Sequence, residues 1–253
     1  MLCAGAPAAE LPRHSPGRSP TPRTIDDPRV RRGMESQLAR WRATLARGAT
    51  RVGLKTGINA PAVQRALGID DVVLGHLTSA TTLVQGATHS LAGSTRVGME
   101  AEVALHVGTD LPGGATQDAA RAAVAGLGAA IELVDIDRPF DDLEAIVAGN
   151  VFHRAVTFGT AAPPPPGPWL RGVTARIERN GEETEALDAA AAAGDLVDIV
   201  RFVADTLAAC GEGLCAGDRI IAGSLGRLVF VEAGDVVAAD LGRLGCVTLR
   251  LGA

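Results

Sequence analysis

Gly98-Met99-Glu100-Ala101-Glu102-Val103-Ala104-Leu105 and Ala130-Ile131-Glu132-Leu133-Val134-Asp135 are the two runs on which the reading of this chain turns. Each is apolar enough for a strand, yet together they carry three glutamates. Side chains two apart on a strand share a face, so Glu100 and Glu102 stand roughly 7 Å apart along it. Carboxylates that close repel unless positive charge lies between them. A third carboxylate in an apolar run makes a divalent cation the economical partner. An all-oxygen ligand set suits hard ions such as Mg²⁺ or Mn²⁺. The competing reading is a polar strand face plus a separate surface glutamate, because charged side chains usually stay solvated.

The rest of the chain bounds what these strands belong to. Its 253 residues suffice for a substantial core. Apolar residues make up 47% and there is no Tyr, so Val, Leu, Ile and Ala must build that core. A formal net charge of -5, without a long basic run in the body of the chain, argues against nucleic acid as a partner. No apolar run reaches about 18 residues, so no transmembrane helix is expected. Cys3, Cys210, Cys215 and Cys246 form no C-x-x-C pair and have no histidine cluster beside them. That speaks against structural zinc and for free thiols in a reducing cytoplasm.

Residues 1–32 differ in character from the remainder of the chain. Arg13 to Arg32 mix Pro, Arg, Ser and Asp without apolar periodicity, which reads as a disordered basic arm and not a signal peptide. One domain is expected over 33–253, starting with a helix on which Met34, Leu38, Trp41 and Leu45 recur at helical spacing. Arg51 to Ile58 reads as a strand, and Pro61 opens a short helix that ends at Gly68. Thr116 caps a helix whose good formers run from Ala119 to Leu127, between the two glutamate strands, Val97 to Val107 and Ala130 to Ile136. Val173 to Glu178 and Asn180-Gly181 form a hairpin, and Asp195 caps a further helix. Short strands come next at Arg219 to Ala222, Leu228 to Val231, Val236 to Asp240 and Cys246 to Leu251. The fold class is mixed α/β, with strands dominating the second half.

In this order the segments resemble the fumarylacetoacetate hydrolase superfamily, in its 2-keto-4-pentenoate hydratase and 4-oxalocrotonate decarboxylase branch. Gly53-Leu54-Lys55-Thr56-Gly57-Ile58, then Pro61-Ala62-Val63-Gln64 and Leu67-Gly68-Ile69-Asp70, are similar to that branch's lysine strand and its next helix. Gly75-His76-Leu77 continues the match. Glu100-Ala101-Glu102 and the segment around Glu132 resemble the family's metal glutamates, and Ala216 to Gly226 its C-terminal strand and turn. The resemblance implies a β-roll with flanking helices and Mg²⁺ or Mn²⁺ on Glu100, Glu102 and Glu132. It implies a small-molecule 2-oxo acid or 2-hydroxydienoic acid as substrate, handled by a lyase through a metal-stabilised enolate. Hydration, decarboxylation and C–C cleavage all occur on this plan. A homodimer or larger homo-oligomer in the cytoplasm is expected. The alternative is a non-catalytic partner subunit.

Lys55 either keeps its head in water at a strand edge, the usual habit of lysine, or points into the site. The resemblance implies the second. The departures lie in the acids. Val73, Thr78-Ser79-Ala80-Thr81 and Gly149 stand where the branch carries acidic residues, so retained metal chemistry favours enolate reactions over water addition. Asp70 or Asp71 serves instead if the local match slips. His76 and His153 are candidates for proton transfer, or structural histidines. Asn150 and Ser224 bind substrate oxygens or serve turns. Arg138 meets a substrate carboxylate or pairs with Asp141 or Asp142.

Overall fold

The computed structural model describes residues 24–253. A 3-10 turn, Thr24–Asp26, leads into α1 (Pro28–Ala46), where Asp27 caps the helix by accepting the Arg29 amide. Next come β1 (Arg51–Gly57), α2 (Pro61–Leu67), β2 (Val73–Thr78), and the short strands β3 (Thr82–Leu83) and β4 (Thr88–Ser90). Two long strands, β5 (Val97–Val107) and β6 (Val124–Asp135), flank α3 (Gln117–Ala123). The chain continues through α4 (Leu143–Ala148), β7 (His153–Phe158), β8 (Thr174–Arg179), β9 (Glu182–Asp188), α5 (Ala189–Ala193) and α6 (Leu196–Ala209). It closes with β10 (Arg219–Ile221), β11 (Val229–Phe230), β12 (Val236–Asp240) and β13 (Cys246–Gly252).

Among the described residues these strands form two sheets. The larger runs β2-β1-β10-β5-β6-β7-β3, with β11 also on β5; the smaller runs β4-β13-β12-β8-β9. Alternation along the strands sorts the larger sheet into two faces. One face carries Leu54, Met99, Ala101, Val103, Ile131 and Leu133 into the main core. The other carries Lys55, Glu100, Glu102 and Glu132, and also a second cluster of Leu77, Ala104, Ala130, Val156, Phe158 and Ile221. Strands β2 and β3 lie at opposite edges of this sheet, yet only residues 79–81 join them. The sheet must therefore curl to bring its edges together, which is the expected roll.

Two sequence expectations are corrected. Helix α1 begins at Pro28, six residues before Met34, because Asp27 and Pro28 make a start signal and Ile25 and Val30 are buried. The part of the expected arm before residue 24 lies outside the described residues, as does Cys3. The helix after Thr116 stops at Ala123, and Val124 to Ala129, expected in part as helix, belong to β6. Glycines at 126 and 128 explain this. Their missing side chains admit Ala161 and the Thr160 carbonyl against the strand, and burial decides over alanine's helix preference. Helix α4 was not foreseen; it packs on α1 where Gly33 lets Val147 approach. Among the described residues no helix is long and apolar enough to cross a membrane. Cys210 and Cys246 are free thiols.

Candidate metal centre and its cavity

The β5–β6 register sets Glu100 directly opposite Glu132, with Glu102 two residues along the same face. One oxygen from each of the three carboxylates lies within 4.8 Å of the others. Glu102 and Glu132 are fully buried, and Glu100 is half-buried and opens into a cavity of about 460 Å³. Glu102 Oε2 accepts the Gly223 amide at 2.7 Å. Glu132 Oε1 accepts from Lys55 Nζ at 2.6 Å and pairs with His153 Nδ1 at 2.6 Å. Glu102 Oε1 and Glu132 Oε2 are buried with no protein partner.

Those two orphaned oxygens test the metal reading. Burial, then the neighbouring Glu132, pushes Glu100 up to about 7. Burial, Glu132 and Glu100 hold Glu102 well above the carboxylate range. For Glu132 burial acts upward too, but the Lys55 charge and the His153 hydrogen bond together hold it below its usual value. One ammonium cannot neutralise three carboxylates. A divalent cation can, and buried unpartnered carboxylate oxygens within such a cluster are the ligand atoms it needs. The donor set fits.

Lys55 reaches the centre because of its neighbours. It pairs with Gly75 on β2, where a Cβ would lie 2.7 Å from the lysine Cγ, and with Ile221 on β10. Its ammonium also donates to the Val151 carbonyl at 3.0 Å. That carbonyl belongs to an unusual turn. Asn150, Val151 and Phe152 all have left-handed φ, at 64°, 53° and 61°. A β-branched residue there is strained, so the surroundings must enforce it. Asn150 does so: its Oδ1 accepts the His76 amide at 2.7 Å and its Nδ2 donates to the His76 carbonyl at 2.9 Å.

The other expected site residues fall in three places. His153 touches Glu132 and, through Nε2, Thr81 Oγ1 at 2.9 Å, so both ring nitrogens are engaged. Ser224 lines the cavity, though its hydroxyl donates to the Gly226 carbonyl at 2.9 Å. His76, Asn150 and Arg138 do not line it. His76 points from the opposite face of β2 toward Trp41, with ring centroids 4.5 Å apart, and its Nδ1 pairs with Gln37 Oε1. Burial, then Arg51 and Arg42, pushes His76 down to about 3, so it is a neutral core histidine. Asn150 is occupied by the His76 backbone. Arg138 binds Asp137 at 2.9 Å, at the surface, in place of Asp141 or Asp142. Val73 is buried in β2 without lining the cavity, and Asp70 and Asp71 are exposed.

Asn59 and Phe140 were missed. Asn59 lines the cavity and donates from Nδ2 to the Ser224 carbonyl at 2.8 Å, bracing the loop whose Gly223 amide holds Glu102. Its place directly after the Lys55 strand was a signal. Phe140 comes from a loop with no pattern to point to it.

A family model described as fumarylacetoacetate (FAA) hydrolase C-terminal matches residues 55–251. A 2-keto-4-pentenoate hydratase of Burkholderia vietnamiensis is 31% identical over 202 residues, covering 78% of this chain and 76% of the relative. A 4-oxalocrotonate decarboxylase of a Pseudomonas species is 28% identical, covering 87% and 86%. Among solved structures, the 4-oxalocrotonate decarboxylase from Pseudomonas putida G7, complexed with magnesium and adipate, superposes with a TM-score of 0.81 at 26% identity, covering 88% of this chain and 86% of that one.

Proposed function

The chain belongs to the fumarylacetoacetate hydrolase family, and from that membership we propose a divalent-metal-dependent lyase that acts on a 2-oxo acid or 2-hydroxydienoic acid through an enolate. The observation that carries this reading is the trio of carboxylates with two unpartnered oxygens, set beside Lys55 at one end of a cavity. Mg²⁺ or Mn²⁺ held by Glu100, Glu102 and Glu132 would supply Lewis acidity to the adjacent oxygens of a 2-oxo acid.

The remaining roles belong to side chains. An ammonium has three donors. Val151 and Glu132 take two from Lys55, leaving the third for a substrate oxygen on which negative charge develops. Lys55 is also the group placed to hold or move a proton there. His153 acts through Glu132: it fixes which oxygen faces Lys55 and which is left for the cation, so it is a positioning residue. Asn59 and Ser224 shape the cavity wall where substrate oxygens can be met.

Among the described cavity-lining residues the titratable ones are Lys55, Glu100 and Arg227, with no aspartate or histidine. Water addition needs a further base or acid, beside Lys55, for the incoming water. This favours decarboxylation, tautomerisation or retro-aldol cleavage over hydration. The experiment mixes the protein with Mg²⁺ or Mn²⁺ and either oxaloacetate or a 2-hydroxydienoate, following ultraviolet absorbance. Turnover that is lost with chelator and in Glu100→Ala is expected. Absence of metal binding in calorimetry sinks the reading, and metal binding without turnover on any 2-oxo acid favours the non-catalytic subunit.

A further inference from the structure

The cavity has two chemically different ends. At one end lie Glu100, Lys55, Asn59 and Ser224. The inward face of β6 that carries Glu132 continues with Val134, and then with Ile136 just beyond the strand. Leu228 fills the space that Gly98 leaves open on β5, and Val63 of α2 adds a further apolar group. Phe152 and Phe140 complete this end, their rings 4.8 Å apart between centroids at 45°. Phe140 is 42% exposed, one of the few large apolar side chains that face solvent among the described residues. A phenyl ring left in water over an apolar cavity gains contact area when a ligand's hydrocarbon part slides beneath it.

Cationic partners for a second acidic group are poorly placed at that end. Lys55 lies at the other end, where Glu132 and Val151 take two of its donors and the head-group oxygen the third. Arg138 lies outside the cavity, on Asp137. Arg227 is at the rim, 81% exposed, with its Nε 3.8 Å from Glu185 and its backbone amide on the same carboxylate. A carboxylate drawn past Phe140 would lose its water without gaining a buried counter-charge.

We propose that this cavity selects 2-oxo acids whose far end is an uncharged hydrocarbon chain, and that Phe140 sets that preference by covering the chain. The inference rests on the reading of the carboxylates as the head-group site and adds the substrate class. The metal centre anchors the 2-oxo acid end, and the wall from Val134 to Phe140 grades the hydrocarbon tail by its apolar length.

The test is calorimetric titration of the Mn²⁺-loaded protein with pyruvate, 2-oxobutanoate, 2-oxopentanoate and 2-oxohexanoate, and with 2-oxoadipate as the six-carbon diacid. Affinity is expected to rise about fourfold per added methylene. The diacid is expected to bind at least about tenfold more weakly than 2-oxohexanoate. Phe140→Ala is expected to flatten the series, and Phe140→Leu to restore most of it. If 2-oxoadipate binds as tightly as 2-oxohexanoate or tighter, or affinity does not change with chain length, the inference is overturned while the head-group reading stands. Loss of that diacid affinity in Arg227→Gln would identify the rim arginine as its partner. If pyruvate and all the longer acids fail to bind, the head-group reading falls and the inference with it.

Discussion

Lys55 and Glu132 are a buried ion pair whose two members have different duties. The ammonium balances one carboxylate, and its third donor faces the cavity. Lys55→Met is expected to lower turnover by about a hundredfold or more, the scale of a lost proton-transfer group, while Mn²⁺ still binds. Steady-state rates together with calorimetry check this, and a variant with near-normal turnover would contradict it. The carboxylates also set a pH dependence. Glu100 and Glu102 have folded pKa values above their unfolded ones. For a raised acid the unfolded chain releases its proton first, so metal-free stability falls as pH rises from about 4.5 through about 7. A divalent cation removes that penalty. The rise in Tm on adding Mn²⁺ is therefore expected to be larger at pH 8 than at pH 5, and an equal rise would contradict the assignment. For His76 the same cause, burial of the charged form, acts in the opposite direction. Its folded pKa is lowered, so its share of stability is lost as pH falls from about 6.5 toward about 3. In chemical denaturation, His76→Gln is expected to flatten that acid limb.

At the scale of elements, the turn from Asn150 to Phe152 joins the core to the site. Asn tolerates left-handed backbone better than most residues, and this one spends both amide groups on the His76 backbone. Asn150→Ala removes two half-buried hydrogen bonds and is expected to cost about 2 kcal/mol. It also loosens the Val151 carbonyl from Lys55, so turnover should fall beyond what the stability change explains. Urea denaturation and rates at a temperature where the variant stays folded separate the two effects. A cost below about 0.5 kcal/mol would show that the turn holds itself. The elements also show what a one-dimensional reading reaches. Strand β5 was legible because alternation and paired glutamates mark it, and α2 because Pro61 and Gly68 bound it. The first half of β6 was not. Its alanines and glycines signal helix or loop locally, and only pairing with β5 from Glu102 to Val107, with the close approach of residues 160–162 on the other side, makes it a strand. Helix α4 is short, and the left-handed turn after it has no glycine to announce it beyond Gly149.

At the scale of the molecule, the roll exists to put β1, β5 and β6 around one point. The order of motifs along the chain was enough to infer it, because each motif marks a strand of the same sheet. The apolar end of the cavity was illegible for the complementary reason. Val63, Ile136, Phe140 and Leu228 come from separate elements and loops, and they share nothing in sequence except that the fold brings them together. The same convergence couples metal to stability. At a concentration one hundred times its Kd, a cation that binds only the folded chain stabilises it by about 2.7 kcal/mol. Chelator should therefore lower the Tm of the whole domain in one step and not loosen one segment. The most direct test of the carboxylate centre is calorimetric titration of the metal-stripped protein with Mn²⁺, with and without a saturating 2-oxo acid, in the native chain and in Glu102→Gln. One ion per chain is expected, bound more tightly with the 2-oxo acid present and at least about tenfold more weakly in the variant. Binding that is absent, or that is the same in Glu102→Gln, would show that these three glutamates do not hold the metal.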